Sequence, residues 1–288
     1  MSTQASGLEA LVNAKRSAGT TRVVAITSGK GGVGKSTLAA NLAYELSRMG
    51  FRVGILDADI GLANLDVMFG VRAQKNILHV LKGEATFDEI VVRIEENLWL
   101  IPGESGEEIL RFSDATIVSR FLDEAQSLEG LDFLLVDTGA GIGESIQMFL
   151  RAADDVIVVT VPDPAAITDA YAMIKVVAKF RPGVSLLINQ VKNRKEGERI
   201  HETIRRVATE NIAADFAVDL IGTVRNDAYV AKSVKQRVIV CKELSGIGPA
   251  VDIRHVAERL GSKKERKMLA DGGESSIGTF FKRLLGGF

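Results

Sequence analysis

The chain has 288 residues, 46% of them hydrophobic and 25% charged, with a net charge of -1. That is enough apolar material for one substantial core, and the even charge argues against a surface given over to nucleic acid, although a local basic patch stays open. A single cysteine, Cys241, rules out an internal disulfide and any iron–sulfur group held by paired thiols, while His79, His201 and His255 are scattered without ligand spacing.

Residues 1–20 read as a flexible N-terminal segment; Glu9 interrupts their one apolar stretch, so they make no signal peptide. Arg22 to Thr27 then reads as a buried strand that feeds Gly29-Lys30-Gly31-Gly32-Val33-Gly34-Lys35-Ser36-Thr37, a phosphate-loop string of the form GxxxxGK[ST]. Glycines allow backbone N–H groups to turn inward around phosphates. Lys35 supplies a point charge, and the Ser36 hydroxyl is placed to ligate Mg²⁺. From Lys35 to Met49 the spacing is helical, so the N-terminal end of a helix faces the phosphates. Lys30 is surplus to such a loop, because a second ammonium beside Lys35 adds repulsion and needs another purpose.

Further apolar strand runs recur at 52–57, 97–101, 132–137, 155–160, 184–190 and 219–224, with helical patterns between most of them. The expected fold is α/β, a mostly parallel sheet covered by helices on both faces over residues 21–260. The second run ends in Asp57-Ala58-Asp59, two carboxylates at the C-terminal edge of a strand, where open α/β sheets bind ligands. The fourth delivers Asp137 into the glycine turn Thr138-Gly139-Ala140-Gly141. There Asp137 would hold Mg²⁺ through a water, and the glycines would let the loop rearrange once a γ-phosphate leaves. Trp99 reads as strand core.

The stretch 261–275, with Lys263, Lys264 and Gly272-Gly273, reads as a flexible, partly basic linker to a final helix over 276–288. In that helix Ile277, Phe280, Phe281, Leu284 and Leu285 share one face with Lys282 and Arg283 beside it, a pattern suited to an anionic membrane surface and too short to cross a bilayer. The same stripe also suits a helix packed on its own domain.

The string Lys30 to Thr37 resembles the deviant Walker ATPases of the MinD and ParA superfamily. The resemblance implies a P-loop NTPase using ATP and Mg²⁺, in which Lys30 reaches across a nucleotide-sandwich homodimer, Asp59 positions the attacking water and Asp57 lies near the magnesium hydration shell. It also implies that Asn189 helps read the adenine edge and that Arg225, where a proline is more usual, belongs to the base-flanking loop. Longer strings, Asp59 to Val67, Asn76 to Glu84, Asp137 to Ile142 and Ala166 to Tyr171, look like the FlhG (FleN, YlxH) family of flagellar number and placement regulators. That branch implies cycling between cytoplasm and inner membrane, with an FlhF-type GTPase and flagellar basal-body or switch proteins as partners. Gln4, Ala5 and Leu8 match the family's GTPase-stimulating element, with Thr3 and Glu9 departing at its ends. A MinD-type division-site ATPase and a ParA-type partitioning ATPase are the alternatives.

Overall fold

The computed structural model describes residues 21–59, 65–104, 108–109, 114–128, 130–271 and 276–286. Strands β1 (Arg22–Ser28), β2 (Val53–Ala58), β3 (Val92–Glu95), β4 (Leu98–Ile101), β5 (Phe133–Ala140), β6 (Asp155–Thr160), β7 (Gly183–Val191) and β8 (Ala217–Arg225) form one sheet in the order β3-β4-β2-β5-β1-β6-β7-β8. Every neighbouring pair is parallel except β3 with β4. The seven strand runs read from the sequence are all present. β3 is an additional one, a four-residue edge strand folded back antiparallel on β4, and Trp99 on β4 is half-buried.

The helices in chain order are α1 (Lys35–Arg48), α2 (Leu65–Phe69), α3 (Ile77–Lys82), α4 (Phe87–Ile90) and α5 (Ala115–Glu124), which runs into a 3₁₀ turn at Ala125–Leu128. After β5 come α6 (Glu144–Ala152), α7 (Pro164–Val177), α8 (Arg194–Asn211), α9 (Ala228–Gln236), α10 (Val240–Glu243), α11 (Gly248–Asp271) and α12 (Ile277–Leu285). Alternation along the strands sorts them into two layers. Val24 and Ile26 of β1 point into a core shared with α1 and α11, while Val23 and Ala25 point into one shared with α5, α6, α7 and α12. Burial on both faces is why these strands read as unbroken apolar runs.

The C-terminal region departs from the sequence reading in one stretch. Residues 261–271 are not a linker: they continue α11, and the domain boundary drawn at residue 260 dissolves. The reason is packing. Gly261 lies so close to Phe51 that a Cβ would stand 3.0 Å from its ring, and Lys264 is buried, its Nζ donating to the Asp132 carboxylate at 2.9 Å and carbonyl at 2.7 Å. Residues 272–275, and the N-terminal reading of residues 1–20, lie outside the described residues.

The final helix forms as expected, with the Ser276 hydroxyl accepting the Thr279 N–H at its N-cap. In this structure its apolar stripe is turned into the domain, the second of the two dispositions that the sequence allows. Ile277, Phe280, Phe281 and Leu284 are 0–2% exposed. Phe281 meets the Phe121 ring edge-on at 5.0 Å and the Phe87 ring at 5.7 Å, completing an aromatic cluster over α4, α5 and α6. No helix among the described residues is long and apolar enough to span a membrane.

Candidate nucleotide site

The loop after β1 is held in shape by its neighbours. A side chain on Gly29 would stand 2.1 Å from the Asp169 carbonyl oxygen, and one on Gly34, at φ +87°, 2.5 Å from Asn189 Nδ2, so both positions exclude larger residues. Around Gly31 and Gly32 nothing lies within 4 Å of where a Cβ would be, which leaves the mouth of the loop open. The Ser28 hydroxyl donates to the Lys30 carbonyl at 2.9 Å and pins the first turn. Gly34 gives α1 an N-terminus with no side-chain cap, so its first N–H groups and the positive end of its dipole are presented to a ligand.

Beside this cradle the structure gathers charge. Lys35, 6% exposed, donates from Nζ to Asp137 Oδ1 at 2.7 Å, with Ser36 Oγ at 3.4 Å and Asp59 Oδ2 at 3.6 Å. Asp57 and Asp137 are paired residues of β2 and β5, both buried. Asp57 accepts the N–H groups of Asp59 and Leu65, each at 3.3 Å. Burial, reinforced by the charge of Asp137, still pushes its carboxyl up to about 6. Burial raises Asp137 too, against the pull of Lys35. Asp137 Oδ2 is buried with no hydrogen-bond partner. An orphaned carboxylate oxygen, a second acid and a serine hydroxyl are a donor set that fits a hydrated Mg²⁺.

Lys30 lies elsewhere. Its Nζ is 3.0 Å from Asp163 Oδ1, with side chains 44% and 48% exposed, so it points outward while Lys35 points in. Asp163 is the N-cap of α7; the Ala166 N–H and, after it, Lys30 lower its carboxyl below the usual range. Asn189 does reach the loop: its Nδ2 donates to the Val33 carbonyl at 2.8 Å, bracing the glycine turn. The Thr37 carbonyl accepts Asn41 Nδ2, tying the first turn of α1 to its second. Arg225, at the C-terminal end of β8, makes a two-point pair with Asp252 through Nε and Nη2 at 2.7 and 2.8 Å, and Nη2 also reaches the Gly248 carbonyl. Its donors thus clamp β8 to the start of α11. Sequence reasoning assigned nothing to Ser28, Asp163 or Asp169. Asp163 was findable, since an aspartate before Pro164 is a helix-start signature.

A glycine loop between a central parallel strand and a helix, with a buried lysine facing an aspartate at the end of a neighbouring strand, defines a P-loop nucleoside triphosphatase. The chain belongs to the ParA family: the model described as "NUBPL iron-transfer P-loop NTPase" matches residues 19–260. Members of this family are ATPases using nucleotide and Mg²⁺, and the chain is one of them. The iron transfer in that description has no thiol pair to act through here, where the one cysteine, Cys241, is buried with its thiol raised by that burial. The chain is 48% identical over 292 residues to the flagellum site-determining protein YlxH of Helicobacter pylori, covering 99% of each, and 32% identical to the antiactivator FleN of Pseudomonas aeruginosa, covering 84% of this chain and 86% of that one. Among solved structures it resembles the MinC:MinD cell division complex of Aquifex aeolicus, with 27% identity, a TM-score of 0.66 and coverage of 84% and 96%.

Proposed function

We propose that this ATPase is a dimerising switch controlling the number or placement of flagella. Lys35 and the loop N–H groups bind the phosphates; Ser36 and Asp137, with Asp57 behind them, hold Mg²⁺, which when bound neutralises phosphate charge. Asp59, at the rim of the same cluster, orients the attacking water. The observation that carries the reading is the split between the two loop lysines. Lys35 is buried in its own acid cluster, whereas Lys30 is exposed and free to swing from Asp163 to the phosphates of a second copy. The flagellar role rests on 48% identity along the whole of a flagellum site-determining relative. A division-site role is the alternative, supported by likeness to the MinD chain of the MinC:MinD complex.

In this reading the docked α12 belongs to the cytoplasmic form. Dimerisation frees it, and its stripe then grips an anionic inner-membrane surface; two tails bind where one is too weak. α6 starts just after the glycines Gly139, Gly141 and Gly143 and carries α12 on its flank, a route from the γ-phosphate to the helix. Residues 1–20 would meet an FlhF-type GTPase, and the dimer would act on basal-body switch proteins.

Light scattering after size exclusion, with ADP and with a nonhydrolysable ATP analogue, with and without anionic vesicles, tests the switch. A dimer with the analogue alone, lost in Lys30→Ala, is expected. A single copy under every condition overturns it.

A further inference from the structure

The glycine turn after Asp137 is stitched to the strand that feeds the phosphate loop at two points. One is backbone: the Gly141 N–H donates to the Ser28 carbonyl at 2.9 Å. The other is a side chain. The Thr138 hydroxyl, fully buried, donates to the Ile26 carbonyl of β1 and to the Gly139 carbonyl, each at 3.1 Å. This bond falls where the ladder slips, since Ile26 pairs with Asp137 but Ser28 with Ala140, so that Thr138 and Gly139 together oppose Thr27. Such a bulge interrupts the backbone ladder and re-aims the residues beside it. The Thr27 hydroxyl across the slip is buried with no partner among the described residues, so Thr138 alone mends the irregularity with a side chain.

On its other side Thr138 stands opposite Ala58 in the register of β2 and β5. The residue after Ala58 is Asp59, and its carboxylate rests on the residue after Thr138: a Cβ on Gly139 would stand 3.2 Å from Asp59 Oδ1 and 3.6 Å from Ile146 Cδ1. The bare backbone of Gly139 is the surface against which Asp59 lies, and the Thr138 hydroxyl holds that backbone by its carbonyl. Thr138 itself faces away from the phosphates. Phe133 and Leu135 of β5 lie in the core with α1 and Leu134 and Val136 in the other, so alternation turns Asp137 toward α1 and Thr138 toward the opposite layer.

We infer that Thr138 is a positioning residue for ATP hydrolysis, its hydroxyl locking the bulge so that Gly139 sets Asp59 against the attacking water, an inference that rests on the reading of Asp59 as the residue that orients that water. Displacing a reacting group by about 1 Å costs about a hundredfold in rate, so a slackened turn is felt in the chemical step. Binding is spared, because Lys35 and the loop N–H groups lie on the far side of the sheet from the lost hydroxyl.

Single-turnover ATP hydrolysis with the full-length chain in excess gives the rate of that step, and calorimetry with a nonhydrolysable ATP analogue gives affinity. Thr138→Val, which keeps the shape and removes the hydroxyl, should lower the rate about tenfold or more with affinity within about threefold, and Thr138→Ser should recover most of the rate. If the valine variant does not fold, Thr138→Ala is held to the same split. In an Asp59→Asn background Thr138→Val should cost little more, because residues acting through one group are not additive. The inference is overturned by a wild-type rate in Thr138→Val beside a slow Asp59→Asn, by an affinity loss as large as the rate loss, by a serine variant as slow as the valine one, or by the same further loss in both backgrounds. A wild-type rate in Asp59→Asn ends the reading of Asp59, and the inference with it.

Discussion

Asp57 stands opposite Asp137 in the register of β2 and β5, so two buried carboxyls share one end of the sheet with a single lysine between Asp137 and Asp59. With the Asp57 carboxyl raised to about 6 from 3.8, the folded chain binds more protons than the unfolded chain between those values. The contribution of Asp57 to stability is thus present below pH 4 and lost as pH rises through 6, a loss of order 3 kcal/mol. Asp57→Asn should raise the melting temperature of the nucleotide-free protein at pH 7 and flatten its dependence between pH 4 and 6. Because Mg²⁺ needs the carboxylate, Mg-nucleotide affinity should fall as pH drops below 6, measured by calorimetry.

The two loop lysines separate binding from assembly. Lys35→Ala should abolish nucleotide binding in calorimetry and also destabilise the protein by about 3–5 kcal/mol, since it strands the buried Asp137 carboxylate. Lys30→Ala should leave ATP affinity within about threefold, because only an exposed ion pair is lost, while removing the dimer and hydrolysis. Asp163→Asn keeps the cap of α7 and frees Lys30, so analogue-driven dimerisation should tighten modestly.

Lys264 decides between a linker and a structural pin. In a solvated linker Lys264→Ala would be silent. Buried against Asp132, with its Nζ 5.2 Å from the Phe133 ring centre, it should cost about 3–5 kcal/mol in chemical denaturation. Lys264→Met combined with Asp132→Leu should recover most of that.

Truncation before Ser276 tests what α12 contributes. Each of the four buried residues of its stripe, Ile277, Phe280, Phe281 and Leu284, stabilises the docked state by about 1.5–3 kcal/mol before ordering is subtracted. The shortened chain should melt lower and bind a hydrophobic dye at the bared Phe87 and Phe121, with nucleotide affinity unchanged. Retained vesicle sedimentation would end the anchor reading.

The phosphate loop was legible because its chemistry is local: glycines, a lysine and a hydroxyl in consecutive positions can do little else between a strand and a helix. The acids Asp57, Asp59 and Asp137 followed, each at the end of an apolar strand. β3 escaped because four residues with Arg93 and Glu95 among them carry almost no apolar signal, and its pairing depends on β4. The end of α11 escaped because a lysine reads as solvated, and only Asp132, far away in sequence, makes Lys264 a core residue. The stripe of α12 was read correctly as a helix face, but a period of 3.6 residues reports that a face is apolar, not what covers it.

The buried lysine of α11 also sets the reach of everything after it. Seven residues of helix beyond Lys264, to Asp271, rise about 10 Å. The four that precede Ser276 span at most about 14 Å at full stretch. In the proposed undocked form α12 would therefore stay within about 14 Å of the end of α11, and rebinding would compete at an effective concentration of order millimolar. Whatever draws it away would have to win that local contest, so a switch of the proposed kind would reset quickly.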